Sequence, residues 1–285
     1  MARIPTSAAQ AQRHVRRAEQ GAAPWVEWLA RLGYAAKGLV YVVIGGIALQ
    51  AAVGRGDRVT GSEGALESMA RQPFGRVLLA AVALGLAGYA LWKLVQAVQD
   101  PEHKGTDAKG NAARAGYGIS GLIHAGLVLE AGRLALGSGM GDGSESGADS
   151  RTAMLMEQPF GRWLVGLVGL GILAFGLYEL YRAYKADLAK KMHLLGLDSD
   201  TRQWVIRSGR LGYAARGLVF GIIGYFLIGA ALHYNPQEAR GLGGALHALQ
   251  GEWYGPYLLG VVAVGLIAYG IFALVKSRFR RIRAA

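Results

Sequence analysis

The chain has 285 residues, of which 52% are apolar and only 18% are charged, and its formal net charge is +12. It contains 44 glycines and no cysteine, and the lack of cysteine excludes disulfide frameworks, thiolate metal sites and cysteine nucleophiles. The apolar content argues against disorder, and low charge combined with many glycines is typical of transmembrane helices rather than of soluble domains.

Six apolar segments follow a basic tail of 24 residues that lacks the apolar stretch of a signal peptide. Each segment is about 30 Å long as a helix, enough to cross the hydrocarbon core of a bilayer. They are Leu32–Val53, Phe74–Val95, Ala115–Leu136, Phe160–Tyr181, Leu211–Leu232 and Gly255–Val275. The first four carry charged residues inside their ends, which we expect to reach the membrane interface: Lys37, Arg76, Lys93, Arg162 and Glu179.

The distribution of charge predicts the orientation of these helices. With six spans, both termini lie on one side together with the linkers 96–114 and 182–210. That side carries 23 Lys and Arg residues against nine acids, whereas the other side carries 8 against ten. Because cytoplasmic loops are enriched in Lys and Arg, we expect both termini in the cytoplasm. The basic charge therefore indicates topology and contact with anionic lipid, not nucleic-acid binding.

Two sequence blocks recur three times along the chain. The first block occurs at 31–38 (RLGYAAKG), 210–217 (RLGYAARG) and, less closely, 114–121 (RAGYGISG). The second occurs at 72–76 (QPFGR), 158–162 (QPFGR) and 252–256 (EWYGP). Each repeat predicts a first span, an outer loop containing a short interfacial helix, and a second span with a small residue at every fifth position, which favours close helix packing.

The repeats determine the predicted architecture. A unit with two spans keeps its orientation when it is copied, so the three repeats are parallel. We predict an all-α membrane protein whose six transmembrane helices form three tandem two-helix repeats in a pseudo-threefold bundle. The units are a basic tail (1–24), repeat 1 (25–98), a linker (99–113), repeat 2 (114–183), a linker (184–203), repeat 3 (204–276) and a basic tail (277–285).

These blocks resemble the three-repeat bacterial membrane proteins grouped as domain of unknown function 1206. The resemblance covers residues 25 to about 276 and rests on the two blocks and the glycine-rich second helix. Repeat 2 departs from the pattern, with Gly118, Ile119 and Ser120 where the other repeats have AAK or AAR. The resemblance implies a multi-pass protein of the bacterial inner membrane and implies no activity.

The third predicted span carries the polar residues that the other first spans lack. Ser120 and His124 are four residues apart and share a helix face, and Glu130 and Arg133 are close enough to form an ion pair. Ionisable groups within a membrane are costly and indicate a candidate site. The alternative is that His124 only hydrogen-bonds within the bundle and that Glu130 neutralises Arg133.

Lys37 and Arg216 occupy the position of Ser120 in the other two repeats. Both lie about one turn inside the predicted cytoplasmic boundary. We expect them either to extend to anionic headgroups or to line a basic vestibule for an anionic solute.

The sequence contains no catalytic, cofactor-binding or metal-binding pattern, and its six histidines lack ligand spacing. We therefore expect a non-enzymatic structural or accessory component of the membrane. The alternative is a channel or transporter for a small solute or ion, with a pathway past the polar third span. The expected partners are the lipid bilayer and anionic headgroups of the cytoplasmic face, with a membrane-protein partner or a homo-oligomer left open.

Overall fold

The computed structural model describes residues 24–55, 59–101, 103–138, 152–185, 198–251 and 253–279, among which no β-strand occurs. In chain order the helices are α1 (Pro24–Ala52), α2 (Ser62–Ala70), α3 (Gly75–Val98), α4 (Ala108–Ala135), α5 (Gly161–Lys185), α6 (Ser199–His233), α7 (Leu242–Gln250) and α8 (Gly255–Phe279). Residues 152–156 are also helical, and Pro236–Glu238 forms a 3₁₀ turn.

Five of the described helices are long and apolar enough to cross a membrane, namely α1 from Ala30 onward, α3, α5, α6 and α8. α4 has 28 residues but a lower apolar content, because it begins with polar residues and contains His124, Glu130 and Arg133. It packs antiparallel along α3 and so belongs to the same bundle. The predicted all-α, multi-pass, tandem-repeat fold is confirmed, whereas composition alone supports five spans and not six.

The closest helix pairs join different repeats. α3 packs on α4, α5 packs on α6, and α8 returns to α1. Smaller contacts join α1 to α3 and α6 to α8 within their own repeats. Around the bundle the order is therefore α4, α3, α1, α8, α6 and α5. Repeat 3 closes on repeat 1 through the same pairing that joins repeat 1 to repeat 2, which gives the bundle its pseudo-threefold character.

The last glycine of the first block makes each of these close pairings. A Cβ at this glycine would press against a backbone carbonyl of a small residue in the partner helix: Gly38 on Gly270 (2.7 Å), Gly217 on Gly176 (2.9 Å) and Gly121 on Ala90 (3.2 Å). These partners are the last members of the small-residue series in the second helices. Small residues at both positions let the backbones approach, which favours helix association where lipid replaces water.

The QPFGR block forms the corner that leads into the second helix. Phe74 and Phe160 adopt the left-handed conformation, with φ of 61° and 62°, which is uncommon for residues other than glycine. Gly75 and Gly161 follow, and a Cβ at either would overlap carbonyl oxygens of the preceding turn. The predicted short loop helices exist as α2 and α7, and each buries an apolar face against the bundle.

The first arginine of the block, in repeats 1 and 2, hydrogen-bonds to the end of a second helix from another repeat. Arg31 donates from Nη1 to the carbonyl oxygen of Ser277 (3.1 Å), and Arg114 donates from Nε to that of Ala97 (2.8 Å). Ser277 and Ala97 are equivalent positions at the ends of α8 and α3. Each arginine thus satisfies orphan carbonyls at the end of a second helix and places its positive charge at the negative end of the helix dipole. We call this end of the bundle, where α1, α4 and α6 begin, the N-terminal face.

Candidate functional site

Lys37 and Arg216 lie inside the bundle, with only 6% and 7% of their surfaces exposed. Lys37 donates from Nζ to the hydroxyl of Tyr89 (3.0 Å), and Arg216 donates from Nη1 to Oε2 of Glu179 (3.0 Å). Lys37 therefore does not reach the membrane interface as predicted, because it is enclosed by neighbouring helices. Binding of an anion by this pair stays a prediction.

Glu179 is the carboxylate of this site and is 1% exposed. Its Oε1 accepts a hydrogen bond from Nη1 of Arg182 (2.8 Å), while Oε2 accepts the one from Arg216. The prediction that Glu179 reaches the membrane interface is wrong. Burying a carboxylate is costly unless it is paired and hydrogen-bonded, and the two guanidinium groups provide this compensation.

Tyrosine side chains contact several of the positively charged groups at this site. The hydroxyl of Tyr213 accepts hydrogen bonds from Nη2 of Arg182 and Nζ of Lys276, both at 2.7 Å. The guanidinium carbon of Arg216 lies 4.4 Å from the ring centroid of Tyr269. Cation–π contacts of this kind strengthen when they are removed from water, so the rings help to hold cations inside an apolar bundle.

Lys93 adds a further buried cation on α3. It is 7% exposed, its Nζ donates to Oε1 of Gln96 (2.7 Å), and it lies 4.3 Å from the ring centroid of Tyr117. Its predicted extension to the membrane interface is therefore also wrong, since its ammonium group is satisfied within the protein.

We define the buried basic cluster as Lys37, Lys93, Arg182, Arg216 and Lys276 together with Glu179. Within the described part of the chain it combines five cations with one carboxylate. Lys37, Lys93 and Arg216 are buried, Arg182 and Lys276 are half-buried, and Nε of Arg216 is a buried donor without a hydrogen-bond partner. Gly270 packs on Gly38 next to Lys37 and is nine residues from the end of α8, which places Lys37 about 14 Å from that helix end. An excess of cations with a free hydrogen-bond donor favours binding of an acidic group of a ligand.

His124 adjoins the cluster, whereas Ser120 contributes only its backbone. Nδ1 of His124 lies 2.7 Å from the carbonyl oxygen of Ser120, and its ring lies 4.5 Å from that of Tyr89, centroid to centroid. Because Tyr89 also accepts the hydrogen bond from Lys37, the structure brings together two of the predicted groups, His124 and Lys37.

Glu130 and Arg133 lie away from the cluster, further along α4. Glu130 is half-buried and Arg133 is exposed, and among the described residues the structure contains no ion pair between them. Six residues separate Glu130 from His124, so their side chains leave the helix in different directions. The predicted Glu130–Arg133 ion pair is therefore absent from this part of the chain.

Carboxylates outside the spans organise the connections between helices. Asp100 accepts hydrogen bonds from the backbone N–H groups of Lys104 (2.7 Å) and Gly105 (2.9 Å), which lowers its pKa. Asp198 caps α6 by accepting from the backbone N–H of Thr201 (3.0 Å), and hydrogen bonding to Thr201 lowers its pKa as well. These turns connect α3 to α4 and begin α6.

Sequence reasoning missed the central role of Glu179, although a signal was present. When the second helices of the three repeats are aligned, Glu179 occupies the position equivalent to Lys93 in repeat 1 and to Ala273 in repeat 3. A carboxylate and a lysine at equivalent depth indicate a charged layer in the bundle. The comparison of first helices alone yields the positions of Lys37, Ser120 and Arg216.

Two other features carry less chemistry. Among the described residues no group of three or more His, Asp or Glu side chains is placed to hold a metal. A groove of about 620 Å³ runs along the surface between α1 and α8, near Ala52 and Gly260, and its lining residues are uncharged. Leu211 of α6 also lines the groove, which offers mainly apolar contact.

Comparison with known proteins agrees with this repeat structure. The chain is 34% identical over 268 residues to a protein of Bacillus subtilis (strain 168) named uncharacterized protein YxxB, covering 94% of this chain and 96% of the relative. No solved structure matches the chain. The profile of the family described as Domain of Unknown Function (DUF1206) matches three times, at residues 32–100, 115–186 and 211–280. These matches coincide with the three helical repeats, and the protein belongs to the DUF1206 family.

Proposed function

We propose that this protein is a non-catalytic structural or accessory component of the bacterial inner membrane. The observation that supports it best is a main apolar core that includes residues of α1, α2, α3, α4, α6, α7 and α8. The charged groups of the buried basic cluster lie toward the N-terminal face and bind one another or nearby tyrosines. Such an interior favours a packed scaffold over an enzyme.

The proposed orientation places the N-terminal face, and with it both termini, in the cytoplasm. It rests on the excess of Lys and Arg in the tails and in the linkers between repeats, which is the pattern of cytoplasmic segments. In this orientation the buried basic cluster lies in the cytoplasmic leaflet, where anionic lipids concentrate.

Flux measurements test the scaffold proposal. The full chain, purified in a mild detergent, is reconstituted into liposomes, and movement of chloride, phosphate and protons is compared with that in protein-free liposomes. We expect no difference between the two. Reproducible flux of any of the three ions by the protein alone would refute a purely structural role.

A channel or carrier is the second candidate, and the contact of His124 with Tyr89 next to Lys37 favours it. This contact connects polar groups of α4 to the buried basic cluster. If this pathway exists, His124→Leu and Glu130→Gln abolish flux, whereas Arg207→Gln, at an exposed position of α6, does not. Flux that persists unchanged in both variants would exclude the pathway past α4.

A further inference from the structure

Among the residues that the structure describes, repeat 2 leaves open an interface that the other two repeats close. In repeat 1, a Cβ on Gly85 would lie 2.5 Å from Cβ of Ala36. In repeat 3, a Cβ on Gly265 would lie similarly close to Cβ of Ala215. At the equivalent Gly171 of α5, a Cβ would meet no atom of the described residues within 4 Å. We call the space between α4 and α5 the lateral opening.

Gly116 and Phe175 show the same difference. Gly33 and Gly212 each press on the backbone of a tyrosine in the second helix, whereas Gly116 has no described neighbour within 4 Å of its Cβ position. Those tyrosines, Tyr89 and Tyr269, are 4% and 5% exposed, while the equivalent Phe175 is 42% exposed. The opening therefore extends over both crossing points of repeat 2.

The sequence of repeat 2 explains why this interface stays open. Ile119 stands where Ala36 and Ala215 pack against glycine in the other repeats, and it is 60% exposed. A β-branched side chain at a backbone crossing prevents the close approach that alanine permits. Exposed apolar residues continue along the same face of each helix, at Ile123 on α4 and at Val168 on α5.

The lateral opening leads to the buried basic cluster. On the α5 side, the ring of Phe175 is 5.1 Å from that of Phe220, and its centroid is 6.0 Å from the guanidinium carbon of Arg216. On the α4 side, His124 contacts Tyr89, which binds Lys37. Apolar walls thus end at a group of buried cations.

From this geometry we infer that the protein binds an anionic lipid through the lateral opening, with acyl chains between α4 and α5 and the acidic headgroup at Arg216 and Lys37. Nε of Arg216 is buried without an acceptor, and within the described residues Lys37 has no carboxylate at ion-pair distance. A phosphate group would supply a hydrogen-bond acceptor for Arg216 and a negative charge for Lys37, because guanidinium and ammonium groups form charge-assisted hydrogen bonds to phosphate.

A lipid fits this site better than a free anion. The opening faces sideways, toward the space that lipid occupies around a membrane-spanning bundle, and its walls are apolar. A soluble anion would have to lose its hydration while it passes the apolar side chains of Ile119 and Phe175, which is costly because these side chains offer no compensating hydrogen bonds. A headgroup is carried to the same depth by chains that the walls accommodate.

The test measures lipid binding by the full chain in a neutral detergent. Native mass spectrometry compares phosphatidylglycerol with phosphatidylcholine of identical acyl chains, and tryptophan fluorescence follows thermal unfolding with each lipid. We expect phosphatidylglycerol to bind about tenfold more tightly, and Arg216→Gln and Lys37→Gln each to weaken it by about tenfold, the effect of losing one charge-assisted hydrogen bond. Arg207→Gln, the matched loss of an exposed charge on α6, leaves binding unchanged.

A second variant tests the opening without touching any charge. Gly171→Phe fills the space between α4 and α5, and we expect it to weaken phosphatidylglycerol binding while the lipid-free protein unfolds normally. Gly46→Phe is its control, since a Cβ on Gly46 of α1 also meets no described atom within 4 Å. This pair decides the question even if Arg216→Gln prevents folding.

Three results would overturn the inference: equal binding of the two lipids, equal protection by millimolar inorganic phosphate, or unchanged phosphatidylglycerol binding in Gly171→Phe. Protection by phosphate would identify a free-anion site instead. A dimer that Gly171→Phe dissociates, with lipid binding unaffected, would identify a second copy of the chain as the occupant. Ion flux and lipid binding are separate measurements, so this inference and the scaffold proposal that it extends can fail independently.

Discussion

Replacing Glu179 by glutamine is the most direct perturbation of the charged layer in the bundle. The substitution keeps the shape of the side chain and removes the only carboxylate that the described residues place between Arg182 and Arg216. Arg216 then retains its positive charge in a site where only 7% of its surface is exposed. We expect the folded state to lose stability through the uncompensated arginine.

The magnitude follows from the burial of the pair. Breaking a buried ion pair by removing one partner costs about 3 to 5 kcal/mol. We expect the lower end, about 3 kcal/mol, because the glutamine oxygen still accepts one hydrogen bond and because Arg182 is 26% exposed and also binds Tyr213. This corresponds to a change of more than about 100-fold in the equilibrium constant for unfolding.

The assay is reversible unfolding by sodium dodecyl sulfate in mixed micelles, followed by circular dichroism and tryptophan fluorescence. Glu130→Gln serves as the matched control, since Glu130 is half-buried and has no ion pair in the described part of the chain. A double variant, Glu179→Met with Arg216→Met, should recover most of the lost stability, because apolar replacement of a whole buried pair is close to neutral.

The reasoning fails if Glu179→Gln lowers the free energy of unfolding by less than about 1 kcal/mol, the range measured for exposed ion pairs. It also fails if Glu130→Gln is equally destabilising. In the first case, water would have to reach the Glu179–Arg216 pair; in the second, the loss of stability would not be specific to a buried ion pair.

Three further predictions follow from other parts of the fold. Gly85→Ala should destabilise the protein by about 1 to 3 kcal/mol in the same unfolding assay, because its Cβ would meet Ala36, whereas Gly171→Ala should be neutral or slightly stabilising; equal effects would contradict the lateral opening. Asp198→Ala should speed amide hydrogen exchange in the first turn of α6, and unchanged exchange in the variant would exclude the cap. Because the pKa of Asp198 is lowered in the folded protein, protection in the wild type should persist above pH 3.8, the ordinary pKa, and should be lost as the pH falls through the folded pKa. In intact cells, an impermeant maleimide should label Gln237→Cys but reach Asn111→Cys only after permeabilisation, and the reverse pattern would invert the proposed orientation.

Much of the architecture could be predicted from local patterns. The repeated blocks placed the helix pairs, and the QPFGR block placed the corner before each second helix, because left-handed Phe74 and small Gly75 are local backbone requirements. The third predicted span also forms a helix, α4, although its polar residues reduce its apolar character. Periodicity and small-residue spacing are sufficient for these features, since they act within one helix or turn.

The fate of the charged side chains could not be predicted in the same way. Lys37, Lys93 and Glu179 each lie near an end of the span predicted from the sequence, so extension to the membrane interface was the expected outcome for all three. Their burial depends on neighbours contributed by other helices, such as Tyr89 of α3 for Lys37 and Arg216 of α6 for Glu179. A single helix carries no information about these distant partners.

The sequence by itself determined that this is a helical membrane protein of three repeats, because apolar length, glycine spacing and repeated blocks are local properties of the chain. Only the tertiary structure decided that α3 and α5 pack on the next repeat, that α8 closes on α1, and that the described residues of repeat 2 leave a space between α4 and α5. The physical reason is steric: Gly38 and Gly270 allow two backbones to meet, whereas Ile119 opposite Gly171 does not, and such pairings exist only once distant segments are brought together.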